Sequence, residues 1–261
     1  MYLVLLTSQN NHVCFEIVKS ITNQIPGCHL DIYFEKMPKK LKTRWRAQIR
    51  HIRRNGLIWI PYRLLYALFC LYNAFKNYLK KESSQTLLSD IREMQRVTLN
   101  IISSFHSDKL WEEIKHKQYD LGIVFGTRIL KKELFSLPKK GMINIHQGLT
   151  PWYRGQPPGF WELYNEESES GITIHQVTEK LDAGAIILQK RIKILPGDTL
   201  EYLTIKLNNL SIVALPEAIK SVLEERCTAI PVDLTQGKTY TIPTLKEILE
   251  LKKKGRIKNI I

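Results

Sequence analysis

Between Lys36 and Lys81 the 261-residue sequence contains no aspartate or glutamate. It has no CxxC pair, no internal repeat and no low-complexity tract, and no cleavable signal stands ahead of its first apolar run. Each absence excludes something. Four cysteines (Cys14, Cys28, Cys70 and Cys227) without metal-ligand spacing rule out a zinc ribbon or a disulfide scaffold, and with the missing signal they place the chain in the reducing cytosol. A hydrophobic content of 44% without biased tracts excludes a disordered chain and is enough for a real core. The missing acids locate the charge: thirteen Lys and Arg residues between Lys36 and Lys81 carry thirteen of the fourteen excess charges. What lies outside is nearly neutral, so the chain reads as an ordinary domain interrupted by one basic segment.

Short apolar runs alternate with helical spacing. "YLVLLT", "CHLDIYF", "VTLNIIS", "YDLGIVFG", "GMINIH", "GITIHQV" and "GAIILQKRI" read as strands. "FEIVKSITNQI", "DKLWEEIKHK" behind Ser107, and a segment around "GFWELYNEE" read as helices. From Thr199, "LEYLTIKLNNLSIVALPEAIKSVLEE" gives one long helix or two, with Pro216 as the break or kink. The predicted class is α/β, a doubly wound, mostly parallel, Rossmann-like sheet. We place a catalytic domain at 1–210, interrupted at about 37–83, and a C-terminal helix and short tail at 211–261.

In such sheets working groups collect where loops diverge beyond strand ends. Asn144 and His146 fall at such an end, and their i, i+2 spacing sends an amide and an imidazole to one side of the sheet. Asp182, in "LDAG", offers a carboxylate; placed near His146 it would favour the imidazolium, making His146 an acid at neutral pH. Taken singly, each also reads as an ordinary turn residue or hydrogen-bonded spectator. His175 reads more readily as a satisfied sheet histidine than as an accessory polar group.

Taken together, "NIHQGLTPWYRG" and "GITIHQVTEKLDAGAIILQ" resemble the catalytic core of the folate-dependent formyltransferases, which include glycinamide ribonucleotide, methionyl-tRNA and sugar N-formyltransferases. The family's mark is matched by Asn144, His146, Leu149, Pro151, Gly155, Gly171, Thr173, His175, Asp182 and Gly184. The resemblance covers roughly residues 84 to 210. It implies 10-formyltetrahydrofolate as formyl donor, Asn144, His146 and Asp182 as the catalytic trio, and no metal. "GTRIL" resembles the family's loop against the pterin ring, which implies cofactor contacts for Arg128, Ile129 and Leu130, with Leu181 on the opposite wall. The loop holding Gly148, Thr150, Pro151, Tyr153, Arg154 and Gly155 would present the acceptor. It departs from the family's Ser-Leu-Leu-Pro form at "QGLTP". "LLTSQNNHV" also lacks the glycine-rich phosphate loop of the purine enzymes, which argues against purine synthesis.

The basic segment has a second half, "LIWIPYRLLYALFCLYNAF", with a single charge in nineteen residues. Its Leu, Ile and Phe gains are nearly cancelled by an Arg near the centre, at about 2.5 to 3.5 kcal/mol, and by its polar residues. Cations flank both ends. Lying in the interface of an anionic membrane through residues 37–81 is easier than spanning it, since each nearby cation gains about 1 kcal/mol there. A protein interface or oligomer contact is the alternative, and nucleic acid is disfavoured because RNA grooves interleave cations with aromatic platforms.

The expected function is formyl transfer to the primary amine of a nucleotide- or lipid-linked amino sugar in surface polysaccharide synthesis. The enzyme would be cytoplasmic, with the inner face of the cytoplasmic membrane as a peripheral contact. Methionyl-tRNA formyltransferase is the first alternative; its resemblance brings an added C-terminal RNA-binding domain, and fewer than sixty residues follow Leu210 here. A formyltetrahydrofolate hydrolase would bring a preceding regulatory domain, whereas the first strand begins at Tyr2. A non-catalytic membrane-associated scaffold with this fold is the last alternative.

Overall fold

The computed structural model describes residues 1–36, Ile49, Ile52, Arg53, Gly56, Ile60, Pro61 and 85–258. The expected insertion at 37–83 therefore lies almost entirely outside the described residues. Among them no helix is long and apolar enough to cross a membrane.

The chain begins β1 (Tyr2–Thr7), α1 (His12–Gln24), β2 (His29–Glu35), α2 (Gln85–Arg92), β3 (Val97–Ile102), α3 (Asp108–Lys117), β4 (Leu121–Phe125), α4 (Lys132–Phe135) and β5 (Met142–His146). It continues through β6 (Tyr153–Gly155), α5 (Phe160–Tyr164), β7 (Glu169–Gln176), β8 (Ile186–Lys193), α6 (Leu200–Leu223), a 3-10 turn at Leu234–Gln236, β9 (Lys238–Tyr240) and α7 (Leu245–Lys253). Seven strands form one sheet in the order β3-β2-β1-β4-β5-β7-β8. The pairings from β3 to β5 are parallel, and β7 runs antiparallel to both its neighbours. This is the mostly parallel α/β sheet the alternation of runs predicts.

Burial on both faces explains the unbroken apolar runs. Along β1 the side chains alternate: Leu3 and Leu5 join a core with Ile17, Val18 and Ile21 of α1 and Leu207 and Leu215 of α6. Val4 and Leu6 enter a second core with Leu110 and Ile114 of α3. All four β1 leucine and valine side chains are fully buried, each contributing about 1.5–3 kcal/mol. Helix starts follow the capping rules: Asn11, Ser107 and Thr199 accept from Cys14, Leu110 and Tyr202 amides.

Two features go beyond the sequence expectation. Of the one long helix or two expected from Thr199, α6 is one, running through Pro216. A proline at this position leaves the carbonyl four residues back without its amide, and Ser20 on α1 supplies the donor, its hydroxyl reaching Ile212 O at 2.8 Å. The C-terminal segment is also built into the molecule. Strand β9 pairs in parallel with β6, α7 carries a Thr244–Glu247 capping box, and Leu251 and Ile257 sit in the α1–α6 core. Position 210 falls inside α6.

Candidate active site

Period-two geometry puts Asn144 and His146 on the same face of β5. The antiparallel partner β7 sets His175 opposite Asn144 and Thr173 opposite His146. The turn after β7 then brings in Asp182, whose backbone is left-handed at φ 48. That turn requires Gly184, where a Cβ would stand 1.7 Å from Gln176 O. The three residues predicted as a trio are thus brought together, and both His146 and Asp182 are buried.

Asp182 Oδ2 lies 3.4 Å from His146 Nδ1, and Oδ1 lies 3.6 Å from His175 Nε2. Oδ2 also accepts from the Gly155 amide at 2.9 Å. His146 Nε2 donates to the Tyr153 carbonyl at 2.7 Å. His175 Nδ1 donates to the Gln176 carbonyl at 2.8 Å, which leaves its Nε2 to accept from Asn144 Nδ2 at 3.2 Å. His175 is therefore a fourth member of the cluster. Both its ring nitrogens are partnered, as a satisfied sheet histidine requires, and its place in the Gly-x-Thr-x-His strand is the signal in the sequence for its accessory position.

The electrostatics depart from the expectation for His146. Burial holds its pKa below the ordinary value of 6.5, against the opposing pull of Asp182 and the Tyr153 carbonyl. The neighbouring carboxylate alone would raise it, and the loss of water outweighs that pull. For Asp182, burial pushes upward, but its polar neighbours His175 and His146 and the Gly155 N–H together hold the carboxyl below its usual range. A neutral imidazole and an ionised carboxylate therefore face each other, both able to take a proton. Asn144 keeps one amide hydrogen beyond the one given to His175.

The loop 147–155 is pinned at several points. Thr173 Oγ1 donates to Gly148 O at 2.8 Å and accepts from Thr150 N at 3.1 Å. At Gly148 a Cβ would lie 2.6 Å from both His146 Nε2 and Tyr153 O. At Gly155, with φ +91, it would lie 2.1 Å from Tyr240 O across the β6–β9 pair. Thr150 precedes the cis peptide to Pro151, and Arg154 Nε is buried with no partner among the described residues. The anchoring role of Thr173 and the β9 wall were not read from the sequence.

Beyond the loop lies a cavity of about 670 Å³, lined by Trp152, Tyr153, Glu167, Arg191, Lys238 and Tyr240 among others. Arg191 stands over the Trp152 ring, and Tyr153 stacks on Tyr240. Of the residues expected to meet a cofactor, Leu130 is buried, while Ile129 and Leu181 are 64% and 44% exposed. Arg128 is paired with Glu35.

The fold and this cluster define a doubly wound α/β protein with an Asn–His–Asp centre at the junction of β5 and β7. The chain belongs to the formyl transferase family, whose model matches residues 80–219, more than half of its length. It is 34% identical over 144 residues to a methionyl-tRNA formyltransferase of Ehrlichia ruminantium, covering 54% of this chain and 47% of that protein. With a methionyl-tRNA formyltransferase of Staphylococcus aureus it shares 40% over 110 residues, covering 42% and 35%. The chain spans less than half the length of these curated relatives. Among solved structures, a sugar N-formyltransferase from Shewanella sp. superposes with a TM-score of 0.63 at 17% identity, covering 100% of this chain and 90% of that one. A phosphoribosylglycinamide formyltransferase from Bacillus halodurans gives 0.60 at 17%, covering 87% and 97%. These structural likenesses show the fold.

Proposed function

We propose that the protein transfers a formyl group from 10-formyltetrahydrofolate to a primary amine. The observation that carries this is the convergence of Asn144, His146 and Asp182 in a member of the formyl transferase family. The donor, when bound, supplies the activated formyl carbon. Ile129 and Leu181 suit it: apolar side chains left in water beside a polar centre gain from being covered by a flat ring. As the amine attacks, the free Asn144 amide hydrogen donates to the formyl oxygen, a contact worth on the order of 10²–10³ in rate. The Asp182–His146 pair receives the proton shed by the attacking nitrogen and returns it to the departing folate nitrogen, so the pair ends the cycle as it began. Exchanging His146 for Ala in the full chain should lower formyl transfer by about 10²–10⁴; undiminished turnover would refute the assignment of His146, and no turnover by the unaltered chain would leave the non-catalytic scaffold as the reading.

For the acceptor we favour an amino sugar, nucleotide- or lipid-linked. The cavity beyond the substrate loop supports this: Glu167 and Glu169 balance Arg191 and Lys238 around aromatic faces. A lining without net charge suits a hydroxylated ring better than a phosphate strand, which draws clustered cations. A second reading, formylation of charged initiator tRNA, is favoured by the names of the relatives that share 34% and 40% identity.

Residues 1–210 with the β9 wall would carry this chemistry in the cytosol. On sequence grounds the segment 37–81 would rest on an anionic membrane surface. That placement predicts sedimentation with anionic vesicles, lost on deleting residues 57–75, and an unchanged distribution would refute it.

A further inference from the structure

Glu35, the last residue of β2, is 1% exposed. Carboxylates accept such burial only when their charge is matched. Its Oε1 accepts from the Phe105 amide at 2.8 Å and from Arg128 Nη2 at 2.5 Å. The same guanidinium nitrogen donates to Ser104 Oγ at 2.8 Å, and Ser104 Oγ in turn accepts from the His106 amide at 3.0 Å. The other oxygen, Oε2, is buried and accepts nothing among the described residues.

One buried carboxylate thus ties the loop after β3 to the loop after β4. An orphaned acceptor is unfavourable to bury, and packing alone gives no reason for an ion here, since apolar residues of similar size often replace buried pairs without loss. The arrangement has a place in the proposed reaction, because the loop that Arg128 opens continues into Ile129 and Leu130. The contacts from Glu35 and Ser104 therefore both converge on Arg128, in the segment that would receive the flat ring.

We propose that Glu35 is a positioning residue: by anchoring the Arg128 guanidinium it fixes Gly126–Leu130, the wall that receives the formyl donor. This rests on the cofactor reading of that loop. Glu35 itself touches neither the donor nor the reacting atoms. Its effect belongs in donor affinity and loop order, and not in the chemical step.

The test compares the unaltered full-length chain with Glu35→Gln, Arg128→Met and the double variant. Amide hydrogen exchange at 126–130 is followed without ligand, binding with 5-formyltetrahydrofolate as the stable probe. Losing a charge-assisted hydrogen bond should speed exchange in the loop and weaken the probe, each by about tenfold. In Glu35→Gln the rate at saturating donor should stay within about twofold. If Glu35 acts through Arg128, the double variant is no worse than either single one. Unchanged exchange in Glu35→Gln, or losses that add in the double variant, would overturn the proposal. Arg128→Met approaches the pair from its 41% exposed end and gives the same readout should Glu35→Gln fold poorly. Failure of the unaltered chain to bind the probe would sink the cofactor reading, while the exchange pattern would still decide whether Glu35 orders the loop.

Discussion

His146 and Tyr153 are joined by a 2.7 Å hydrogen bond from the imidazole Nε2 to the backbone carbonyl. The loop that would present the acceptor is thereby fastened to the proton carrier, and the Tyr153 ring looks into the cavity on the loop's other side. Gly148 makes this approach possible. Replacing it with Ala puts a Cβ 2.6 Å from both bonded atoms, so the bond must open. We predict a fall in kcat/KM of at least about 10², on the scale of a small displacement near the chemistry, with circular dichroism unchanged. Wild-type turnover would show that the contact is dispensable.

The protonation of His146 decides the shape of the pH profile. Burial holds its pKa below 6.5, so the imidazole is neutral at pH 7 and able to accept. The rate should rise with pH through that lowered pKa, with the acid limb of kcat/KM centred below 6.5 and a plateau across neutrality. A rate that falls between pH 6 and 8 would mean that the imidazolium is the working form.

Glu162 makes a separate prediction about stability. It is 2% exposed and accepts from Ser170 Oγ at 3.1 Å, and burial raises its pKa from 4.5 to about 7. The folded state holds this proton more tightly than the unfolded chain does, so stability falls as pH rises from about 4.5 to about 7. Above that range the charged form costs about 3 kcal/mol. Glu162→Gln should melt higher than the unaltered chain at pH 8, with the gain shrinking toward pH 5. Equal melting temperatures at both values would contradict it.

Ser20 tests why α6 survives Pro216. Its hydroxyl serves the Ile212 carbonyl that the proline leaves open, and Ser20→Ala removes the donor. The expected loss is about 1–2 kcal/mol in urea unfolding, and a paired Pro216→Ala change should recover most of it. A Ser20→Ala variant of full stability would mean that water or a bend serves the carbonyl instead.

Strand and helix periods, caps and the Asn144–His146 spacing were legible in the sequence because they depend on neighbours along the chain. What escaped depends on contacts between distant segments. Pro216 was a local breaker with no visible remedy, because Ser20 lies 192 residues from Ile212. The C-terminal segment read as a tail because β9 gains its meaning only opposite β6. His175 looked bland until register set it across from Asn144. The His146 protonation was misjudged because desolvation depends on the whole fold, whereas Asp182 could be seen as a charge in the loop.

The most direct measurement supplies the full-length protein with 10-formyltetrahydrofolate and, separately, nucleotide-linked amino sugars, lipid-linked amino sugars and charged initiator tRNA, following folate release and the formylated product. The account predicts transfer to an amino sugar, with the rate reduced by about 10²–10⁴ in His146→Ala. Transfer to tRNA alone would contradict the acceptor, and no His146-dependent release with any amine would contradict the formyl transfer itself.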